Sequence, residues 1–200
     1  MDVVIRRSRS SQLLCALTWV ICAVGAGRQL LEGVGSALAL LPWLALVSFL
    51  VWAAYWRPSL RVDDGGVRLI NVLRTIDLPW PAIQRIDTKW ALTLVTAYGR
   101  FTAWVAPAPG IRSTVNLGHA RRAQVAESAL AGDSIRPGDL PGSPSGDAAV
   151  LVRRRWEELR DAGYLDDPRL EFTRVPVRWH WEIIVVAAAL AVWSVSTVMS

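Results

Sequence analysis

An uncharged apolar run at residues 34–56 constrains the fold of this chain more than any other feature. It reads VGSALALLPWLALVSFLVWAAYW, and it exceeds the roughly 20 apolar residues that cross the hydrocarbon layer of a bilayer. Pro42 lies inside the run, and membrane helices tolerate proline because neighbouring groups satisfy the freed backbone atoms. Aromatic residues near its end are typical of the membrane surface. The run predicts a transmembrane helix.

Two further apolar runs lie near the ends of the chain. Residues 13–27, LLCALTWVICAVGAG, are uncharged but short for a span. Residues 181–199 show no polar face after Glu182, although a soluble helix of this length would need one. The sequence therefore predicts spans at residues 13–27, 34–56 and 181–199. For the first run a cleaved signal peptide is the alternative, because residues 1–12 are basic.

The arginines are distributed unevenly around these runs. The loop between the first two spans contains a single basic residue, Arg28, whose charge Glu32 partly offsets. The other flanks are consistently basic: Arg6, Arg7 and Arg9; Arg57 and Arg61; Arg169, Arg174 and Arg178. Because cytoplasmic flanks carry the excess of arginine, residues 1–12 and the central region are predicted to be cytoplasmic. The sequence thus predicts a multi-pass protein of the cell membrane. The net charge of +5 then indicates membrane topology and not a nucleic-acid partner.

Residues 59–118 have the pattern of a small strand-rich domain. The sequence Asp63–Gly66, DDGG, lies between β-favouring runs and predicts a hairpin turn. Asn71 is a second predicted turn residue. Residues 82–88, AIQRIDT, are predicted to form a short helical turn. The segment WALTLVTAYGRFTAWVA predicts another hairpin around residues 98–100. Such strands predict a bent antiparallel sheet or a partly open barrel.

Helical and flexible segments follow this domain. Residues 119–133 are predicted to form a short helix, and residues 134–147 a linker rich in proline, glycine and serine. Asp147 is the predicted N-cap of an amphipathic helix at residues 148–163. Gly163 is its predicted C-cap.

The string RVDDGGVRLINVLRTIDLPWPAIQRID resembles the bacterial PH-like domain family. The residues that carry the resemblance are Asp64, Gly65, Gly66, Val67, Asn71, Arg74, Pro79, Trp80 and Ile83. Many relatives in that family also have two apolar helices immediately before the domain. The resemblance implies a membrane α-helical anchor joined to a small mostly-β PH-like domain with flanking helices. The motif residues it identifies are structural and not catalytic.

Two groups of arginines are candidates for contact with anions or lipid. Arg68, Arg74 and Arg85 lie in the strand region, where they would form an anion pocket. Arg153, Arg154 and Arg155 would bind lipid headgroups. The alternative is an ordinary solvated surface, with the triplet paired to Glu157, Glu158 and Asp161 by helical spacing.

Aromatic residues allow two interpretations as well. Trp80, Trp90 and Trp104 are predicted to fill the core of the small domain, because tryptophan buries a large apolar area. The alternative is that they stack on a ligand. His180, between two tryptophans at a membrane boundary, is interpreted as a polar tip with no catalytic role.

The sequence contains no constellation that specifies a reaction. There is no Cys/His cluster with metal-ligand spacing and no glycine-rich phosphate loop, so no enzyme activity and no cofactor are predicted. The leading hypothesis is a membrane-tethered, noncatalytic PH-like module that acts as a cytoplasmic-face adaptor for an envelope-associated protein. The alternative is an accessory subunit of a transporter or lipid-handling complex, which would contact that complex through the spans. Membrane lipids are the other expected partners, around the spans.

Overall fold

A computed structural model describes residues 3–6, 9–107, 144–165 and 174–199 of the protein. The described part contains four α-helices and eight strands. The helices are α1 (Arg9–Glu32), α2 (Val34–Tyr55), α3 (Pro144–Asp161) and α4 (Trp181–Met199). The strands are β1 (Val3–Arg6), β2 (Ser59–Val62), β3 (Gly66–Ile70), β4 (Arg74–Pro79), β5 (Ile83–Asp87), β6 (Ala91–Thr96), β7 (Gly99–Pro107) and β8 (Val177–Trp179).

The chain divides into two compact units, and the division does not follow chain order. The strand unit comprises Met1–Arg6, Ser59–Ile70 and Ile76–Val177. The helical unit comprises Arg7–Pro58, Asn71–Thr75 and Arg178–Ser200. The turn between β3 and β4 therefore belongs with the apolar helices, although it lies in the middle of the strand-rich sequence.

Three helices of the helical unit are long and apolar enough to cross a membrane. The candidate spans are Ser11–Leu31, Leu38–Tyr55 and Trp181–Met199. The first is longer than residues 13–27 because α1 continues through Arg28 to Glu32. Trp19 Nε1 donates a hydrogen bond to the carbonyl of Ser48 at 3.2 Å, which joins α1 to α2. Thr197 Oγ1 donates to the carbonyl of Ala39 at 3.2 Å, which joins α4 to α2.

The larger sheet has five strands in the order β1-β2-β3-β4-β8. The predicted turn between β2 and β3 is confirmed: Asp63 Oδ1 accepts hydrogen bonds from the backbone N–H groups of Gly65 at 3.0 Å and Gly66 at 2.9 Å. A Cβ at Gly66 would lie 2.2 Å from the carbonyl oxygen of Leu78. The glycine therefore allows β3 and β4 to approach closely.

The smaller sheet has the order β5-β6-β7. Here the prediction of a helical turn at residues 82–88 is wrong. A 3₁₀ turn occupies Trp80–Ala82, and Ile83–Asp87 form a strand. Ile83 and Ile86 are three residues apart, a spacing that favours a helix when both face the core. A register irregularity between Ile83 and Arg85 gives the strand an extra residue, so that both isoleucines pack against the core.

Side chains from both sheets and from α3 form one apolar core. Leucine, isoleucine, valine and alanine from the strands make up most of it, and α3 adds Ala148, Ala149 and Val152. Trp80 lies in this core and is 2% exposed. The core prediction is wrong for Trp90 and Trp104, which are 80% and 56% exposed. Trp90 precedes β6, and Trp104 lies on the outward side of β7. The predicted mostly-β domain with flanking helices is confirmed, as two sheets and not as a closed barrel.

Helix α3 begins earlier than the sequence predicts. It starts at Pro144, so Asp147 lies in the first turn and not at the N-cap. At its other end, Gly163 has φ 78, and Tyr164 N–H donates to the carbonyl of Leu159 at 3.0 Å. This bond and that from Gly163 N–H to Arg160 O form a Schellman cap, as predicted for Gly163. The helix predicted at residues 119–133, and residues 108–118 and 134–143, lie outside the described residues.

Candidate functional site

The three predicted anion-binding arginines of the strand region occupy different surroundings. Arg68 on β3 donates a hydrogen bond to the carboxylate of Asp77 on β4, and this bond raises the pKa of Arg68. Arg85 lies exposed on β5, in the other sheet. Arg74 belongs to the helical unit, where its guanidinium lies 5.9 Å from the ring centre of Trp179. The charge of Arg68 is thus already compensated, whereas Arg85 faces solvent.

The arginine triplet lies on α3, where Arg154 and Arg155 form ion pairs. Arg154 Nε donates to Glu158 at 3.2 Å, and Arg155 Nη1 donates to the same carboxylate at 3.2 Å. These bonds, with that of Arg155 first, lower the pKa of Glu158. Arg155 Nη2 also donates to Asp64 at 2.8 Å. Arg153 is partly buried on the same helix. The pairing with Glu158 corresponds to the ordinary-surface interpretation of this triplet.

The motif residues that carry the family resemblance hold the first hairpin in place. Asp64 binds Arg155 of α3, and Trp80 Nε1 donates to the carbonyl of Asp63 at 3.0 Å. Pro79 adopts an extended conformation with φ −68 and precedes the 3₁₀ turn. Ile83 is buried in the core. Asp64, Trp80 and Ile83 thus have hydrogen-bonding or packing roles in the strand unit.

A shallow groove follows the same hairpin. It has a volume of about 330 Å³ and lies between Asp63, Arg68, Asp77, Pro79 and Pro176. The cation in this groove, Arg68, is paired to Asp77. The groove therefore offers little uncompensated charge to an anionic ligand.

A polar cluster around His180 was not predicted from the sequence. His180 is 8% exposed, and its Nδ1 lies 2.7 Å from Arg57 Nη1. Because a guanidinium can only donate, Nδ1 accepts, and the ring proton is on Nε2. Nε2–H then donates to Thr75 Oγ1 at 3.0 Å. Burial, and next the charge of Arg57, lower the pKa of His180. The imidazole is therefore neutral at neutral pH.

The same cluster holds the turn between β3 and β4. Arg57 Nη1 donates to the carbonyls of Val72 at 3.2 Å and Asn71 at 3.4 Å. The backbone N–H of His180 donates to the carbonyl of Leu73 at 2.9 Å. Arg57 follows α2 and His180 precedes α4, so both polar side chains lie beside ends of candidate spans. Their separation of 123 residues hides this contact from local sequence patterns.

The comparison with protein families decides the identity of the strand-rich region. A model described as bacterial PH domain matches residues 57–162, more than half of the chain. The chain belongs to the bacterial PH domain family. No curated protein and no solved structure matches it. PH domains are generally noncatalytic interaction modules. The match includes Arg57 and Thr75 but ends before His180, so the polar cluster contains a residue from outside the PH domain match.

Strand β5 is an edge of this PH domain. In the described part of the chain it pairs with β6 on one side only. Gln84 and Arg85 are exposed on it. Trp156 of α3 donates from Nε1 to the carbonyl of Ile83 at 3.0 Å, so one backbone group at the start of the strand already has a partner. Among the described residues, no group of three or more His, Cys, Asp or Glu side chains could hold a metal ion.

Proposed function

We propose that this PH domain is a membrane-tethered interaction module that binds an envelope-associated protein from the cytoplasmic side. The observation that carries the proposal is the β5 edge, which has a pairing strand on one side only within the described sheet. A sheet edge offers unpaired backbone groups, and an extended peptide can add to it as a further strand. In this proposal the domain recruits a partner and performs no chemistry.

Two features of the edge suit a peptide ligand. The bulge between Ile83 and Arg85 interrupts the strand near its start, and regular pairing with β6 resumes at Arg85 and continues to Asp87, which would confine an added strand to a short segment. Trp156 lies partly buried beside the beginning of β5 and packs against the core. It would provide an apolar wall for a side chain of the bound peptide. Such a pocket would give specificity, while backbone hydrogen bonds would give affinity.

The membrane arrangement is part of the same proposal. Three candidate spans would make the protein multi-pass, and the basic residues beside them would keep the PH domain in the cytoplasm. Arg57 follows the second span, and Arg178 precedes the third. A partner would thus meet the domain at the inner face of the cell membrane, where membrane lipids surround the spans.

In-cell photocrosslinking tests this proposal. A photoreactive phenylalanine analogue at Gln84 in the full chain should crosslink a discrete partner from native membranes. The same analogue at Arg154, an exposed position on α3, is the matched control and should not crosslink that partner. Equal crosslinking at both positions, or at neither, would contradict the β5 edge as the binding surface. Deleting the whole domain is less informative, because the deletion would also remove Asn71–Thr75. These residues contact Arg57 and His180, so the deletion would disturb the helical unit as well.

One observation favours a second candidate function, that of an accessory subunit of a transporter or lipid-handling complex. Small residues line an apolar groove of about 390 Å³ between α1 and α2, among them Cys22, Ala23, Ala26, Ala45 and Ser48. Small residues allow close approach of another membrane helix. A photoreactive residue at Ala26 that captures a membrane protein, together with no capture at Gln84, would support this function over the first.

A further inference from the structure

The outward face of the three-stranded sheet combines exposed tryptophans with cations. We infer that this face rests against the headgroups of an anionic bilayer. This surface, here called the tryptophan face, consists of Arg85, Arg100 and Trp104 on the strands, together with the exposed Lys89 and Trp90 of the connection between β5 and β6. The inference goes beyond the proposed function, because contact with lipid does not depend on any protein partner.

The strand register places two arginines side by side across this face. Arg85 of β5 lies opposite Val95 of β6, and Val95 lies opposite Arg100 of β7. Directly opposed residues in a sheet point to the same side. Leu94 is buried and Val95 is not, so this side is the outward one. Both arginines are exposed.

Trp104 lies further along the same face, and Trp90 lies in the connection that precedes β6. Thr93 and Thr102 are paired across β6 and β7, with their hydroxyl oxygens 3.0 Å apart. Trp104 follows Thr102 by two residues and therefore points to the same side. Trp90 immediately precedes β6 and is 80% exposed. The ammonium of Lys89 lies 5.7 Å from the centre of its ring.

The charge balance of the face favours an anionic partner. Asp87, opposite Thr93, is the one acidic residue in the described rows of this face, against Arg85, Lys89 and Arg100. Its carboxylate accepts a hydrogen bond from the backbone N–H of Lys89 at 3.1 Å. Each basic residue close to an anionic bilayer increases the equilibrium constant for contact with that bilayer about fivefold.

The exposed tryptophans favour a bilayer, and not a charged protein surface, as the partner of this face. The indole ring prefers the headgroup level, where its apolar body meets lipid and its N–H meets water. Lysine and arginine place their apolar stems in the same layer while the charges remain solvated. Only three residues join α2 to β2. A bilayer that contains α2 is therefore tethered to the strands and is available to them at high effective concentration.

The test uses the full chain in lipid nanodiscs made of phosphatidylcholine with or without phosphatidylglycerol. A spin label at Thr102→Cys reports the face, after Cys15 and Cys22 are replaced by alanine. Collision of the label with a water-soluble nickel chelate should decrease in the anionic discs. Arg85→Gln with Arg100→Gln should weaken the lipid contact about 25-fold and restore collision. Trp90→Ser with Trp104→Ser should also restore it.

The control pair Arg61→Gln and Arg154→Gln removes the same charge from exposed positions elsewhere and should leave the collision rate unchanged. Added salt should release the label in the unmodified protein, because exposed charges are screened. This measurement keeps the test valid if a double variant misfolds. Equal collision in both lipids, no effect of salt, or the same change with the control pair would overturn the inference. Crosslinking at Gln84 is a separate measurement, so the two proposals can fail independently.

Discussion

Gly66 has no space for a side chain. A Cβ there would meet the backbone carbonyl of Leu78 at 2.2 Å, and backbone cannot rotate away as a flexible side chain would. We expect Gly66→Ala to separate β3 from β4 and to lower the free energy of unfolding by about 1–3 kcal/mol. Denaturation of the purified protein in detergent, followed by circular dichroism, measures this change.

Gly65→Ala is the matched control for that substitution. A Cβ at Gly65 would meet Asp63 Oδ1 at 3.5 Å, an ordinary contact, and the hydrogen bond from the backbone N–H would remain. We expect a change within about 0.5 kcal/mol. A loss as large as that of Gly66→Ala would show that the turn and not the strand contact limits stability.

His180 should make the stability of the protein depend on pH. Its pKa is lowered by burial and then by Arg57, so the unfolded chain binds the proton more readily than the folded one. The stability that neutral His180 provides is therefore fully present above about pH 6.5, and it is lost as the pH falls below that value. Protonation would also turn the Nδ1 acceptor into a donor that faces Arg57.

Melting temperatures in detergent between about pH 8 and pH 5 test this expectation. His180→Asn keeps an acceptor for Arg57 but does not titrate in this range. The variant should be less stable at neutral pH, because the bond to Thr75 is lost, and should show a flatter dependence on pH. Parallel pH profiles for the two proteins would rule out His180 as the source of the dependence.

Several residues show how far the sequence alone could predict the site. Asp63 and Gly163 were predictable because turn and cap chemistry is local. The exposure of Trp90 and Trp104 was not predictable, because the side of the sheet on which such a side chain lies depends on the register of β6 and β7. The pairing of Arg57 with His180 was hidden by chain distance. A polar residue directly beside each predicted span was the available signal.

Helix α3 contacts the strands through its apolar face and through a side-chain hydrogen bond. Trp156 packs against the core and donates to the carbonyl of Ile83. We expect Trp156→Phe to lower the free energy of unfolding by about 1 kcal/mol, because that carbonyl loses its partner. Glu157→Gln, at the exposed neighbouring position, should change it by less than about 0.5 kcal/mol. Equal effects of the two substitutions in a denaturant titration would contradict this role.

The helices were easier to predict than the strands. Long uncharged runs define helices α1, α2 and α4 without reference to the rest of the chain. Strand β5 was predicted as a helical turn because its bulge gives Ile83 and Ile86 a helix-like spacing. Such a bulge depends on how β6 lies beside β5. Information of that kind is not contained in the five residues of the strand.

The orientation of the whole molecule follows from the charges at the ends of its spans. We expect alkaline phosphatase fused after Gly110 to be inactive and the same reporter after Ser200 to be active. The enzyme requires export to fold, and the basic flanks would retain the PH domain in the cytoplasm. The reverse pattern would contradict the proposed orientation, and activity at both fusion sites would contradict a third span.

The assignment of Asn71–Thr75 to the helical unit limits how this PH domain can be exchanged in evolution. A recombination event that replaced residues 57–162 would import a foreign β3–β4 turn together with a foreign residue in place of Arg57. His180, outside the exchanged segment, would then face foreign residues in place of Arg57 and Thr75. Such an exchange would preserve these contacts only if it extended beyond the family match, as far as His180.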